Sequence, residues 1–159
     1  MALEIERKFL LRNDTWKVGA EGVAYRQGYL SLDPQRTVRV RIAGDRAFLT
    51  IKGATRGCAR SEYEYPIPLQ QARQMLDELC LRPQIEKTRY RVPHAGLIWE
   101  IDEFHGANEG LVLAEVELDR PDQPVVLPDW VGEEVTGDER YYNACLSRTP
   151  FSSWPQRRG

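Results

Sequence analysis

The sequence predicts an α+β, mainly β fold: an eight-stranded antiparallel closed β-barrel with a few helices packed outside. Runs in which apolar and charged residues alternate with period two recur from Leu3 to Arg120. Hairpin-length turn signals separate most of them, and one stretch of helical period interrupts them. Closing such a sheet into a barrel leaves no unpaired edge.

The first strand is Leu3 to Leu11, with Glu4, Glu6 and Lys8 on one face and Leu3, Ile5, Phe9 and Leu11 on the other. A short helix or turn begins near Asp14-Thr15-Trp16. The second strand, about Val23 to Leu32, sets Tyr25, Gln27, Tyr29 and Ser31 against Ala24, Gly28 and Leu30, and Arg26 breaks that apolar face. Asp33-Pro34 turns the chain. The third strand, Arg36 to Ala43, opposes Arg39 and Arg41 to Val38, Val40 and Ile42. Gly44-Asp45 is a hairpin signal, and Ala47 to Gly53 returns with Thr50 and Lys52 opposite Leu49 and Ile51. The fifth strand, Cys58 to Ile67, carries Glu62 and Glu64 against Tyr63, Tyr65 and Ile67.

Pro66 and Pro68 end this run, and the period changes. Leu69, Ala72, Met75, Leu76 and Leu79 recur at helical spacing, so Leu69 to Leu81 reads as an amphipathic helix packed on the outside of the sheet. Arg82 to Val92 then sets Lys87, Arg89 and Arg91 opposite Thr88, Tyr90 and Val92, and Pro93 to Gly96 is a turn. Leu97 to Phe104 bears Glu100 and Asp102 against Trp99 and Ile101. Leu111 to Arg120 bears Glu115 and Glu117 against Ala114, Val116 and Leu118. Pro121 to Pro128 is a loop, Trp130 to Val135 is short and mixed, and Asp138 caps a helix from Glu139 to about Ser147. One domain over residues 1–147 and a tail over 148–159 complete the expectation.

Composition narrows the function. The chain has 159 residues, 42% apolar and 29% charged, which fits a folded globular domain. Its 22 basic and 24 acidic residues leave a net charge of -2, which gives no case for a nucleic-acid binder. Cys58, Cys80 and Cys145 lack metal-ligand spacing and read as reduced thiols. The first strand begins close behind Met1 and no run spans a membrane, so the expectation is a cytoplasmic protein without a membrane partner. Only His94 and His105 are present, which argues against a histidine-built zinc site.

The charges are sorted by strand. Carboxylates fall on the first, fifth, seventh and eighth strands (Glu4, Glu6, Glu62, Glu64, Glu100, Asp102, Glu115, Glu117). Cations fall on the third, fourth and sixth (Arg39, Arg41, Lys52, Lys87, Arg89, Arg91), and Lys8 joins them from the first. Taken alone, any one of these strands is an ordinary wet face. Together they line the inside of a barrel, wet and built to receive something charged, because dry burial of so many charges would be costly. Lys and Arg bind phosphate oxygens, and clustered carboxylates bind hard cations that bridge phosphates. No P-loop motif is present, so side chains would hold the phosphates.

Glu4-Ile5-Glu6-Arg7-Lys8 resembles the ExExK signature of the CYTH superfamily, the triphosphate tunnel metalloenzymes. The resemblance extends in order through Arg39/Arg41, Lys52, Glu62/Glu64, Lys87/Arg89, Glu100/Asp102 and Glu115/Glu117, covering about residues 2 to 120. Tyr141-Tyr142-Asn143 is similar to the family's C-terminal helical segment. The resemblance implies a tunnel that hydrolyses inorganic triphosphate (tripolyphosphate) to pyrophosphate and phosphate with Mg2+ or Mn2+. Lys8, Arg39, Arg41, Lys52, Lys87 and Arg89 would bind the phosphates. Glu4, Glu6, Glu115 and Glu117 would be the main metal ligands, with Glu62, Glu64 and Asp102 acting through water or orienting basic partners. Tyr29 would stand near the attacked phosphate, with packing as its competing role, and Glu4, Glu6 and Lys8 would join it in catalysis. Arg91 and Glu100 fall near the tunnel ends, where a structural ion pair is the competing reading. Arg140 would add a phosphate contact, and the C-terminal helix would close one mouth.

The same resemblance leaves a class IV-type adenylate cyclase or a thiamine triphosphatase open, since the triphosphate grip is shared. The substrate is then tripolyphosphate or a nucleoside or thiamine triphosphate. A non-catalytic polyphosphate-binding module is the alternative of another class, and pure anion binding would not need so many carboxylates. A homodimer is compatible with all of these.

Overall fold

Eight antiparallel strands close on one another, and the main apolar core lies on the outside of their wall. The computed structural model of the chain describes residues 3–155. The strands are β1 (Leu3–Leu11), β2 (Gly22–Ser31), β3 (Arg36–Ala43), β4 (Arg46–Gly53), β5 (Ala59–Ile67), β6 (Ile85–His94), β7 (Leu97–Phe104) and β8 (Val112–Glu117). A ninth, β9 (Val131–Glu134), lies outside the ring. The helices are α1 (Leu69–Glu78) and α2 (Asn143–Arg148).

The strand order is β5-β4-β3-β2-β6-β7-β8-β1, and β5 pairs with β1 to close the ring. The chain is therefore two meanders rather than the single one that turn spacing suggested. α1 packs across the outer face of β3 and β4, where Ala72 and Leu76 are buried with Val40, Ala47 and Cys80. It thereby carries the chain from β5 back to the free side of β2, where β6 pairs. Gly28 permits this, because a Cβ there would meet Cys80 Cβ at 3.0 Å and Leu76 Cδ2 at 3.1 Å. The helix ends at Glu78, short of Leu81, and Leu79 is exposed.

Several ends differ from the periodicity for identifiable reasons. β6 begins at Ile85 rather than Arg82, since Pro83 has no N–H to offer the ladder. It runs on through Pro93 and His94, because the turn is only Ala95-Gly96, both with positive φ (49° and 82°), as a two-residue hairpin turn requires. β8 stops at Glu117, not Arg120: the Asp119 amide donates to Gln123 Oε1 instead of a strand, and Pro121 follows. The helix expected over Glu139 to Ser147 is broken into a 3-10 turn, Glu139–Tyr141, capped by Asp138, and α2. The mixed stretch after Trp130 forms β9, which pairs with β1 through Phe9 and Leu11 beyond the β5 contact at Leu3 to Ile5.

The side chains turned outward from β1, β6, β7 and β8 form the main core. Phe9, Trp99, Ile101, Ala114 and Val116 are buried there beneath Trp16 and Trp130, and Trp99 meets Trp130 edge-on at 5.6 Å. A second cluster joins Ile85, Phe104 and Leu113 to Tyr141 and Leu146 of the C-terminal segment, and Trp154 packs on Tyr141 at 5.3 Å. The outer faces of β4 and β5 are less covered: Ile51, Tyr63 and Tyr65 are exposed. Of the expected tail, residues 156–159 lie outside the described residues.

Candidate active site

The strand alternation that buries Phe9 and Trp99 outside the wall turns their neighbours inward. A cavity of about 120 Å³ runs inside the barrel, lined by Glu4, Glu6, Lys8, Tyr29, Arg39, Arg41, Lys52, Glu62, Arg89, Glu100, Glu115 and Glu117 among others. Lys87, Asp102 and Glu64 stand off its surface. Lys87 and Asp102 are buried in the wall, whereas Glu64 is partly exposed and accepts from Thr50 Oγ1 at 2.8 Å, beside Arg39 at 3.7 Å.

On the β6–β7 side the charges are already matched. Arg89 grips Asp102 with two parallel bonds, Nε to Oδ1 at 2.7 Å and NH2 to Oδ2 at 2.9 Å, and Lys87 Nζ donates to the same Oδ2 at 2.8 Å. Burial works to raise the Asp102 carboxyl, but the two cations outweigh it and hold it at about 2. Lys87 fares worse, since it shares one carboxylate with Arg89: burial, reinforced by Arg89 and Arg41, pushes its ammonium down to about 7 against the pull of Asp102. Arg41 is lowered to about 10 by burial and by Arg39 and Arg89. The Arg41 and Arg89 guanidinium groups both lie against the Tyr25 ring, 5.0 and 4.9 Å from its centroid, a cation–π contact for each of these like charges.

On the β1–β8 side like charges meet. Cross-strand pairing sets Glu6 opposite Glu117 and Lys8 opposite Glu115. Burial, then the neighbouring Glu115 and Glu4, drive the Glu6 carboxyl well above its ordinary value. Glu6 hydrogen-bonds to Glu115, which is held well below its ordinary value against burial by Lys8, by that bond and by Arg89. Glu117 and Glu62 are both raised, by burial first and then by Glu4. Burial also works to raise Glu4, but Lys52, donating at 2.9 Å, outweighs it and leaves the carboxyl lowered. Among the described residues no three acidic, cysteine or histidine side chains are drawn into a finished coordination shell. The donor set nonetheless suits a hard divalent cation. Carboxylate oxygens from two paired strands press on one another, and only added positive charge relieves all of them together.

The C-terminal segment enters the same wall. Thr136, Gly137, Tyr142, Asn143 and Ala144 line the cavity. Lys8 Nζ donates to the Tyr141 carbonyl at 3.1 Å and lies 5.6 Å from the Tyr142 ring centroid, and the Lys8 amide donates to Thr136 Oγ1 at 2.8 Å. Arg140, expected on the phosphates, turns away: it pairs with Asp138 at 2.7 Å and stacks on Tyr141 and Trp154. Sequence reading also missed Arg60, which lines the cavity and bonds the Gly53 carbonyl at 3.2 Å. Its signal was available, because Arg60, Glu62 and Glu64 alternate in phase on one strand.

The model of the CYTH domain matches residues 2–142. The chain is 49% identical over 158 residues to an inorganic triphosphatase of Acetivibrio thermocellus, covering 98% of this chain and all of that protein. It is 40% identical over 150 residues to an inorganic triphosphatase of Nitrosomonas europaea, covering 91% of this chain and 96% of that one. Among solved structures, that of an inorganic triphosphatase superposes with a TM-score of 0.65 at 36% identity, over 92% of this chain and 95% of the other.

Proposed function

The chain belongs to the CYTH domain family, and from that membership we propose that it is an inorganic triphosphatase, hydrolysing tripolyphosphate to pyrophosphate and phosphate inside the barrel with Mg2+ or Mn2+. One observation carries the reading: one cavity inside the barrel is lined both by cations from β3, β4 and β6 and by mutually repelling carboxylates from β1 and β8. The near full-length identity to relatives named as inorganic triphosphatases supports it.

Arg39, Arg41, Lys52, Arg89 and Lys8 bind the phosphoryl oxygens, Arg through its planar fork and Lys as a point charge. They hold the chain of phosphates straight and stabilise the charge that grows on the pyrophosphate leaving group. Lys87 and Asp102 act one layer back, fixing Arg89. Glu4, Glu6, Glu115 and Glu117 would hold the divalent ion, with Glu62 beside them. Such an ion supplies Lewis-acid polarisation of the phosphoryl oxygens and favours water as nucleophile. Glu6, whose carboxyl is raised by burial and by Glu115 and Glu4, would have to be ionised to hold that ion, so loading would depend on pH. Tyr29, buried in the wall with its ring at the cavity, shapes the site near the reacting phosphate.

Phosphate release from tripolyphosphate, ATP and thiamine triphosphate, each with Mg2+, Mn2+ or EDTA, tests the reading. Metal-dependent turnover fastest on tripolyphosphate is expected. Equal rates on all three would remove the substrate assignment, and cyclic AMP from ATP would replace it with a cyclase.

A further inference from the structure

We propose that Asn143, at the start of α2, is a substrate-binding residue whose side-chain Nδ2 donates to a phosphate oxygen in the cavity. The inference rests on the reading of that cavity as a triphosphate site. It follows from a chain of hydrogen bonds in which each partner leaves the next no choice.

Arg41 Nε can only donate, and it lies 2.8 Å from the Gln27 side-chain oxygen. Gln27, with no exposed surface, must therefore turn its Nε2 the other way, and that nitrogen donates to Asn143 Oδ1 at 2.9 Å. Lys87 Nζ, also a pure donor, reaches the same Oδ1 at 2.8 Å. Two donors fix the Asn143 amide with its oxygen toward the wall, an assignment set by the network. The amide nitrogen then points away from Gln27 and Lys87. Asn143 lines the cavity, and among the described residues its Nδ2 has no hydrogen-bond acceptor.

A neutral donor held rigidly in this way suits an anion that is already surrounded by cations. It adds direction without adding charge, and the amide cannot rotate without breaking bonds to Gln27 and Lys87. Placement by α2 also ties the C-terminal segment to the substrate itself, a role that Arg140, turned outward, does not fill.

Asn143→Asp and Asn143→Ala separate donor from scaffold. The aspartate keeps oxygen for Gln27 and Lys87 but exchanges the donor for a negative charge; the alanine loses oxygen and donor without adding charge, so a raised KM in both is needed to support the donor role. Both variants are assayed for tripolyphosphate hydrolysis, and for thermal stability with and without tripolyphosphate. The expectation is that Asn143→Asp melts without ligand as the wild type does, yet raises KM by ~10- to 100-fold and loses most of the tripolyphosphate-induced shift, with kcat changed by less than about threefold. Asn143→Ala should raise KM by at least roughly tenfold and melt earlier. An Asn143→Asp KM within about twofold of wild type, with the ligand shift intact, would reduce Asn143 to a scaffold residue and overturn the proposal. If the wild type neither turns over nor is shifted by tripolyphosphate, the triphosphatase reading itself fails, and this inference with it.

Discussion

The β6–β7 wall and the β1–β8 wall face one cavity and treat charge in opposite ways. On the first, Asp102, Arg89 and Lys87 satisfy one another within 2.9 Å; Asp102 and Lys87 are sealed from solvent, and Arg89, fixed by them, faces the cavity. On the second, Glu6, Glu115, Glu4 and Glu117 crowd one another, and Glu6 holds a proton far above the ordinary carboxylate range. Matched charges belong to the architecture of the wall, and mismatched charges wait for something from outside. A ring of inward-facing ionisable residues is therefore not one site but a rigid frame and a reactive lining.

The largest expected effect separates the two by stability. Asp102→Asn leaves two buried cations without their counter-charge and should cost ~3–5 kcal/mol in urea denaturation. Because the folded carboxyl sits at about 2, below its ordinary 3.8, the stabilisation is present above about pH 4 and is lost as the pH falls through about 2. A loss under ~1 kcal/mol would erase the distinction between frame and lining.

Glu6→Gln tests the other wall and should cost activity instead, lowering kcat/KM for tripolyphosphate by ~10²–10³-fold. The folded Glu6 carboxyl is raised, so the wild type loses stability as the pH rises from 4.5 through the folded value, and the glutamine variant does not. Metal-free Glu6→Gln should therefore melt above the wild type at pH 7, with the gap closing below about pH 4.5. An earlier melt at pH 7 would mean that Glu6 belongs to the frame.

The smallest effect sharpens the boundary between them. Arg91 is largely exposed and 3.9 Å from Glu100. Arg91→Ala should change stability by less than ~0.5 kcal/mol and leave phosphate release near wild type; a large fall in turnover would extend the reactive lining to the rim.

Much of this was legible in the sequence, because a period of two decides which face each strand residue occupies. Sorting Glu4, Glu6 and Lys8 from Ile5 and Phe9 needed nothing more. Depth was not legible: Lys87 and Arg89 share a face, yet only Arg89 reaches the cavity, since Lys87 lies beneath α2 and bonds Asn143. Strand order was not legible either, because it depends on α1 crossing the outside of the sheet. Asn143 stood out only as part of the Tyr141-Tyr142-Asn143 segment and not as a cavity residue, because the expected helix breaks after Tyr141 and leaves Tyr142 and Asn143 at the cavity while Arg140 faces out.

The pairing of β1 bears on how the chain is made. Its partners are β5, β8 and β9, the last two more than a hundred residues later, with Glu6 opposite Glu117 and Leu10 opposite Leu113. β1 is made before all three of these partners and waits for them, a long-range closure that is intrinsically slow. Through that wait it is an unpaired edge that other chains could join. The two carboxylates and the ammonium on one of its faces discourage such strangers, so the residues that line the finished cavity also guard the unfinished one.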